Sequence, residues 1–316
     1  MIKKTGLVSL ACMFMLILFE SCDEALMPPS KPGADSVPEY ILSFSGQWTD
    51  PGGGPTTGLV VSANGNVYVG AETTPRRTGW PSPDLYLFSP KGAEVNAWDI
   101  LWRPSGLGIG LDGSIVAVDS YLATVTLISS DGGKVETWGE GQLTNPTDVD
   151  IDSRGNLYIA DAGSDRIQKF TPHGFPLLKW GTTGADNGEF NSPRGIAVND
   201  SDEVFVWDTG NNRVQYFDTQ GHFLGKWAAS DSTRVLEPWP MGIAGIDAGP
   251  EGVVYLVDSG GVQVVKFSTD GRILARWGKA GTEPGTFTSP GNIAVGPAGS
   301  IYVSDVGRRV VDRFDY

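Results

Sequence analysis

Histidine, cysteine and basic side chains are scarce in this sequence, and each scarcity removes a class of function. Lys and Arg number 23 against 37 Asp and Glu, a formal net charge of -14 at pH 7. So acidic a chain argues against nucleic acid as a partner, because that partner needs a basic footprint. Only His173 and His222 are present, which argues against a histidine-held metal centre and leaves no Ser-His-Asp arrangement in view. Of the two cysteines, Cys12 lies inside an apolar N-terminal run and Cys22 just beyond it. The folded part therefore has no thiol nucleophile and no internal disulfide. Long apolar runs are lacking except for Leu7 to Phe19, which at helical rise falls short of the ~30 Å of a bilayer core.

That run follows Lys3 and Lys4, the layout of an export signal over residues 1–21. It ends in Phe19-Glu20-Ser21-Cys22, which resembles a bacterial lipoprotein box in its small residue before a cysteine. The resemblance implies that Cys22 carries lipid and anchors the chain to a membrane of the bacterial cell envelope, facing the periplasm or the exterior. Residues 22–39 then form a tether, since DEALMPPSKPGADSVP at 23–38 has little with which to build a core. Residues 40–316 remain as the folded domain.

What that domain has in abundance is repetition. Trp48, Trp98, Trp138, Trp180, Trp227 and Trp277 close successive units at spacings of 50, 40, 42, 47 and 50 residues, the period of propeller blades. Pro55, Pro104, Pro146, Pro193, Pro240 and Pro290 open them. The best-defined unit is PRGIAVNDSDEVFVWDTGNNRVQYFDTQGHFLGKW, from Pro193 to Trp227. It reads as four short strands, 196–198, 203–207, 213–217 and 223–227, separated by Asp, Gly, Asn and Thr turns. Its PRGIAV, WDTGNNRVQ and FDTQGHFLGKW segments resemble the NHL repeat family. The resemblance implies an all-β, six-bladed β-propeller of four-stranded antiparallel blades, and radial closure also hides the edges that an open array would expose. The last unit has three strands, 292–295, 300–304 and 309–314, and lacks a fourth. The orphan YILSFSGQW at 40–48 has the composition of a closing strand and is expected to complete the sixth blade from outside.

Antiparallel order puts the connections into each first strand, and those from second to third strand, on one face, here called the top. Asp119, Asp161, Asp208, Asp258 and Asp305 end the second strands, where a carboxylate accepts turn N–H groups, with Arg166 and Arg213 as ion partners. The closing tryptophans are read as packing between blades. For a hard cation such as calcium, Asp148 and Asp150 share one face of a first strand, and Asn292 holds the matching position on the blade opposite. Calcium-dependent lactonase-type propellers use such acidic and amide ligands. The histidines on which the similar peptidyl-amidoglycolate lyases depend are missing here.

Two top connections, 72–84 and 228–240, are longer than a blade requires and flank the sixth blade. They carry Arg76, Arg77 and Trp80, and Arg234 and Trp239; Arg103 and Arg194 lie in other top connections. Arg and Trp in long loops point to recognition. The reading is therefore a membrane-anchored propeller that binds a protein, peptide or glycan on its top face. The alternative is a metal-assisted lyase or lactonase-type hydrolase working in the central channel.

Overall fold

A computed structural model describes residues 40–44, 56–71, 83–101, 103–228, 243–283 and 285–315, all within one compact unit, Val37–Tyr316. Its six four-stranded antiparallel sheets are the six blades. Blade 1 comprises β2 (Thr56–Val61), β3 (Val67–Ala71), β4 (Leu85–Phe88) and β5 (Glu94–Trp98). Blade 2 comprises β6 (Pro104–Ile109), β7 (Ile115–Asp119), β8 (Thr124–Ile128) and β9 (Lys134–Trp138). Blade 3 comprises β10 (Pro146–Ile151), β11 (Leu157–Asp161), β12 (Arg166–Phe170) and β13 (Pro176–Trp180). Blade 4 comprises β14 (Pro193–Val198), β15 (Val204–Asp208), β16 (Arg213–Phe217) and β17 (Phe223–Ala228), and blade 5 comprises β18 (Ile243–Gly249), β19 (Val253–Asp258), β20 (Gln263–Ser268) and β21 (Ile273–Trp277). Blade 6 takes β22 (Pro290–Val295), β23 (Ile301–Asp305) and β24 (Val310–Asp315) from the C-terminal end. Its outer strand is β1 (Tyr40–Phe44), paired antiparallel with β24 from Tyr40 opposite Asp315 to Phe44 opposite Val311. Early chain thus closes the ring on late chain, as the incomplete last repeat predicts. Trp48 lies outside the described residues. Among those residues no helix is long and apolar enough to cross a membrane.

First strands begin earlier than their apolar residues suggest. Pro104, Pro146, Pro193 and Pro290 each pair with the aspartate that ends the second strand, followed by a register shift. Proline is tolerated there because the ladder at a strand's first residue does not need its missing N–H. The apolar core consists of wedges between blades, and each neighbouring pair of blades shares one cluster. Ile159, Val149 and Phe170 of blade 3, for example, meet Val118 and Val125 of blade 2.

The closing tryptophans bridge those wedges. An ideal Cβ added to Gly132, Gly174, Gly221 or Gly271 would stand 1.8, 2.4, 2.8 or 2.5 Å from an atom of Trp98, Trp138, Trp180 or Trp227, respectively. Each indole therefore rests on the bare backbone of the next blade's turn from third to fourth strand. Those glycines also have φ between 76° and 90°, a region that side chains disfavour. One residue type meets both demands.

Candidate functional site

At the centre, the first strands run side by side around the axis. Their inner edges have no further strand to pair with, so their N–H groups need other acceptors. Asp148 and Asp150 of β10 supply two. Asp148 Oδ2 accepts from Ile196 N at 3.0 Å and Asp150 Oδ2 from Val198 N at 2.6 Å, both on β14 of the next blade. Their Oδ1 atoms accept from Val149 N and Ile151 N at 3.0 and 2.8 Å. Asp247 of β18 repeats the device, with Oδ2 accepting from Val295 N of β22 and Oδ1 from Ala248 N, each at 2.7 Å. Hydroxyls add further ties between blades: Ser105 Oγ donates to Pro146 O at 2.9 Å and Thr147 Oγ1 to Pro193 O at 3.2 Å.

The three carboxyls line one central cavity with Asn292. Burial drives the Asp148 carboxyl up to about 8, with Asp150 adding to the rise and the N–H bonds from Ile196 and Val149 opposing it. Asp150 is raised by burial too. Asp247 stands well above the usual carboxylate range because of burial first and the charges of Asp150 and Asp148 after it. Asp148 and Asn292 fit because the preceding blade offers glycine beside each: a Cβ on Gly106 would lie 2.7 Å from Asp148 Cα, and one on Gly245 would lie 3.0 Å from Asn292 Cα.

The structure thus brings together the predicted Asp148, Asp150 and Asn292 and adds Asp247, which a count from the opening proline misses. Pro146 precedes Asp150 by four residues, whereas Pro240 precedes Asp247 by seven. Counting back from the second-strand aromatic finds it, since Asp150 pairs with Tyr158 and Asp247 with Tyr255. The cavity measures about 40 Å³. That is room for a few waters or one ion, against the 300–1,000 Å³ of an organic-ligand pocket. Among the described residues, no group of three or more His, Cys, Asp or Glu side chains is disposed to hold a metal ion. All four oxygens of Asp148 and Asp150 are instead engaged by backbone N–H groups.

On the top face the recurring aspartates act within their turns. Asp161 Oδ1 accepts from Thr144 N and Asn145 N at 2.8 and 3.1 Å, and its Oδ2 from Arg166 Nε at 3.0 Å. Asp208 likewise takes Asn191 N at 2.7 Å and Arg213 Nε at 2.8 Å. At Asp305, burial is outweighed by bonds from Arg308, Thr288 and Ser289, which hold the carboxyl at about 2. Asp119 receives the N–H groups of Arg103, Tyr121 and Leu122. That turn leaves Tyr121 and Leu122 68% and 50% exposed, with the Arg103 guanidinium 6.0 Å from the tyrosine ring. Arg194 is exposed on blade 4. Arg76, Arg77, Trp80, Arg234, Trp239 and Cys22 lie outside the described residues. Both histidines sit in underside turns beside acids, His173 Nδ1 at 3.8 Å from Glu136 and His222 Nδ1 at 2.8 Å from Asp218.

The NHL repeat family matches residues 143–170 and 190–217, which fall in blades 3 and 4. No curated protein matches the sequence. Among solved structures, virginiamycin B lyase from Staphylococcus aureus is similar over 88% of this chain and 98% of its own, at 13% identity and a TM-score of 0.60. A gluconolactonase from Xanthomonas campestris gives 87%, 89%, 15% and 0.63 in the same order. A chain of a nidogen/laminin complex gives 71%, 80%, 20% and 0.54. At such identities the likeness concerns the fold alone. The chain is therefore a six-bladed β-propeller whose third and fourth blades match the NHL repeat.

Proposed function

We propose that this protein is a binding propeller, anchored through lipid on Cys22 to a membrane of the bacterial cell envelope, that recognises a protein, peptide or glycan on its top face. The observation that carries the reading is the exposed Tyr121 and Leu122 beside Arg103. An exposed aromatic ring and a leucine beside a guanidinium suit recognition, since Tyr and Arg are enriched among the residues that dominate binding. Loop residues Arg76, Arg77, Trp80, Arg234 and Trp239, together with Arg194, extend the same chemistry. A narrow channel points the same way, since about 40 Å³ has no room for an organic substrate. The nidogen/laminin neighbour, similar in fold, comes from a protein complex.

A soluble Cys22→Ala form used as bait in membrane extract tests the reading. Arg103→Ala/Tyr121→Ala and Trp80→Ala/Trp239→Ala should each lose the captured partner while keeping their circular dichroism. Undiminished capture by both would refute a top-face site. Labelled fatty acid should enter the wild type and not Cys22→Ala; an unlabelled wild type would refute the anchor.

A second reading, a calcium-dependent lyase or lactonase-type hydrolase, draws on the acidic channel lining and on the lyase and gluconolactonase neighbours. Against it stands the engagement of the Asp148 and Asp150 oxygens by N–H groups. Calcium-dependent turnover of an amidoglycolate or a lactone would decide for it.

A further inference from the structure

Blades 3 and 4 carry the same side chains on the top of their third strands: Arg166 and Gln168 in one, Arg213 and Gln215 in the other. They differ in the loop that leads into the first strand. Trp180 to Pro193 is 13 positions, and Trp138 to Pro146 is eight. In blade 4 the longer loop folds over the third strand and uses these side chains completely. Arg213 Nη1 donates to Ala185 O at 2.7 Å, and its Nη2 donates to Asp186 O and Glu189 O at 2.9 and 2.7 Å. Gln215 Nε2 donates to Glu189 O at 2.7 Å, and its Oε1 accepts from Gly188 N at 3.0 Å.

In blade 3 half of that set is unused. Arg166 Nη2 and Gln168 Nε2 both reach Gln142 O at 2.9 Å. Arg166 Nη1 and Gln168 Oε1, the counterparts of the atoms that hold Ala185 and Gly188, have no partner among the described residues. The arginine side chain is accordingly 24% exposed, against 5% for Arg213. Beside it opens a cavity of about 590 Å³, bordered by Gln142, Arg166, Gln168, Leu177, Leu178 and Lys179. Leu177 and Leu178 are 51% and 37% exposed, and the exposed Lys179 also has no partner among the described residues.

We propose that this pocket binds a glycine-containing acidic turn of a partner polypeptide, held as blade 4 holds its own Gly184 to Glu189. A carbonyl of the turn accepts from Arg166 Nη1. An amide three residues on, matching the interval from Ala185 to Gly188, donates to Gln168 Oε1. The free donor and the free acceptor together select peptide main chain over a simple anion. Lys179 and Arg166 are the cations of a chain with a net charge of -14 that face this pocket, and they favour an acidic side chain on the turn. The two leucines accept an adjoining apolar residue. The pocket is on blade 3 and stands apart from the reading of Tyr121 and Arg103 on blade 2, so either can fail without the other.

The probe is a backbone-cyclised peptide containing GADNGE, titrated into the full-length Cys22→Ala protein and followed by amide chemical shifts and calorimetry. Saturable binding is expected, weakened at least tenfold by Lys179→Glu, a surface change that leaves the fold alone. A second variant replaces Glu140 to Gln142 with the blade 4 segment Thr182 to Glu189, which should fill the pocket, raise the melting temperature and abolish binding. No saturation by wild type, or equal binding by the filled variant, overturns the proposal. Equal affinity for glutarate would also overturn it, by reducing the site to one for small carboxylates.

Discussion

Replacing Asp148 by Asn tests whether the channel carboxyls act as proton-holding ties between blades. The carboxyl stands at about 8 in the folded protein against an ordinary 3.8, chiefly because burial disfavours its charge. Between those values the folded chain retains a proton that the unfolded chain releases. The stability contributed is therefore complete below about pH 4 and is lost as the pH rises through about 8. About four pKa units correspond to ~6 kcal/mol at 1.36 kcal/mol per unit. The side chain lines the channel and is only half-buried, and solvent screening at such a position reduces the expected effect to roughly 2 kcal/mol. Asn keeps an Oδ1 acceptor for Ile196 N–H but gives up the second acceptor, a loss of about 1 kcal/mol. In urea unfolding, Asp148→Asn should be about 1 kcal/mol less stable than wild type at pH 4 and about 1 kcal/mol more stable at pH 8.5, with the curves crossing between. A difference that stays constant from pH 4 to pH 8.5 would refute the reasoning.

Gly174→Ala should cost about 3 kcal/mol in urea unfolding, because its Cβ meets Trp138 at 2.4 Å as well as an unfavourable φ. Gly113→Ala, with a similar φ and nothing within 4 Å, should cost only about 1 kcal/mol. A chain starting at Thr49 loses β1 and exposes β24, and should melt at least ~5 °C below one starting at Ser36, the shift that ~2 kcal/mol produces in a domain of this size. Equal melting would refute closure by β1. Arg213→Ala should cost about 3 kcal/mol and Arg166→Ala about 1 kcal/mol in thermal melts, since the first holds three loop carbonyls and the second holds one. Calcium should leave the melting temperature of the wild type unchanged. A rise that Asp148→Asn abolishes would instead establish a cation in the channel.

The repeat was legible from residues alone because each blade solves the same local problem. In blades 2, 3, 4 and 6 a proline marks where the first strand starts, in blades 2 to 6 an aspartate ends the second strand, and in blades 1 to 5 a tryptophan closes the fourth. The missing final strand and the orphan at residues 40–48 were readable for the same reason, and so were Asp148, Asp150 and Asn292 as neighbours of the axis, since alternation along a strand is a local property. What the sequence could not determine depends on radial closure. Only when β10 lies beside β14 and β18 beside β22 do the inner N–H groups of one blade meet the carboxylates of the one before. That meeting makes Asp148, Asp150 and Asp247 ties between blades. Asp247 itself was hidden by a three-residue offset from its opening proline that the ladder with Tyr255 removes. The difference between Arg213 and Arg166 is likewise tertiary: the same side chain in the same motif is consumed by a loop of eight inner residues and left half-used by one of three. Loop length was visible in the chain, but which atoms that length leaves without partners was decided by the fold.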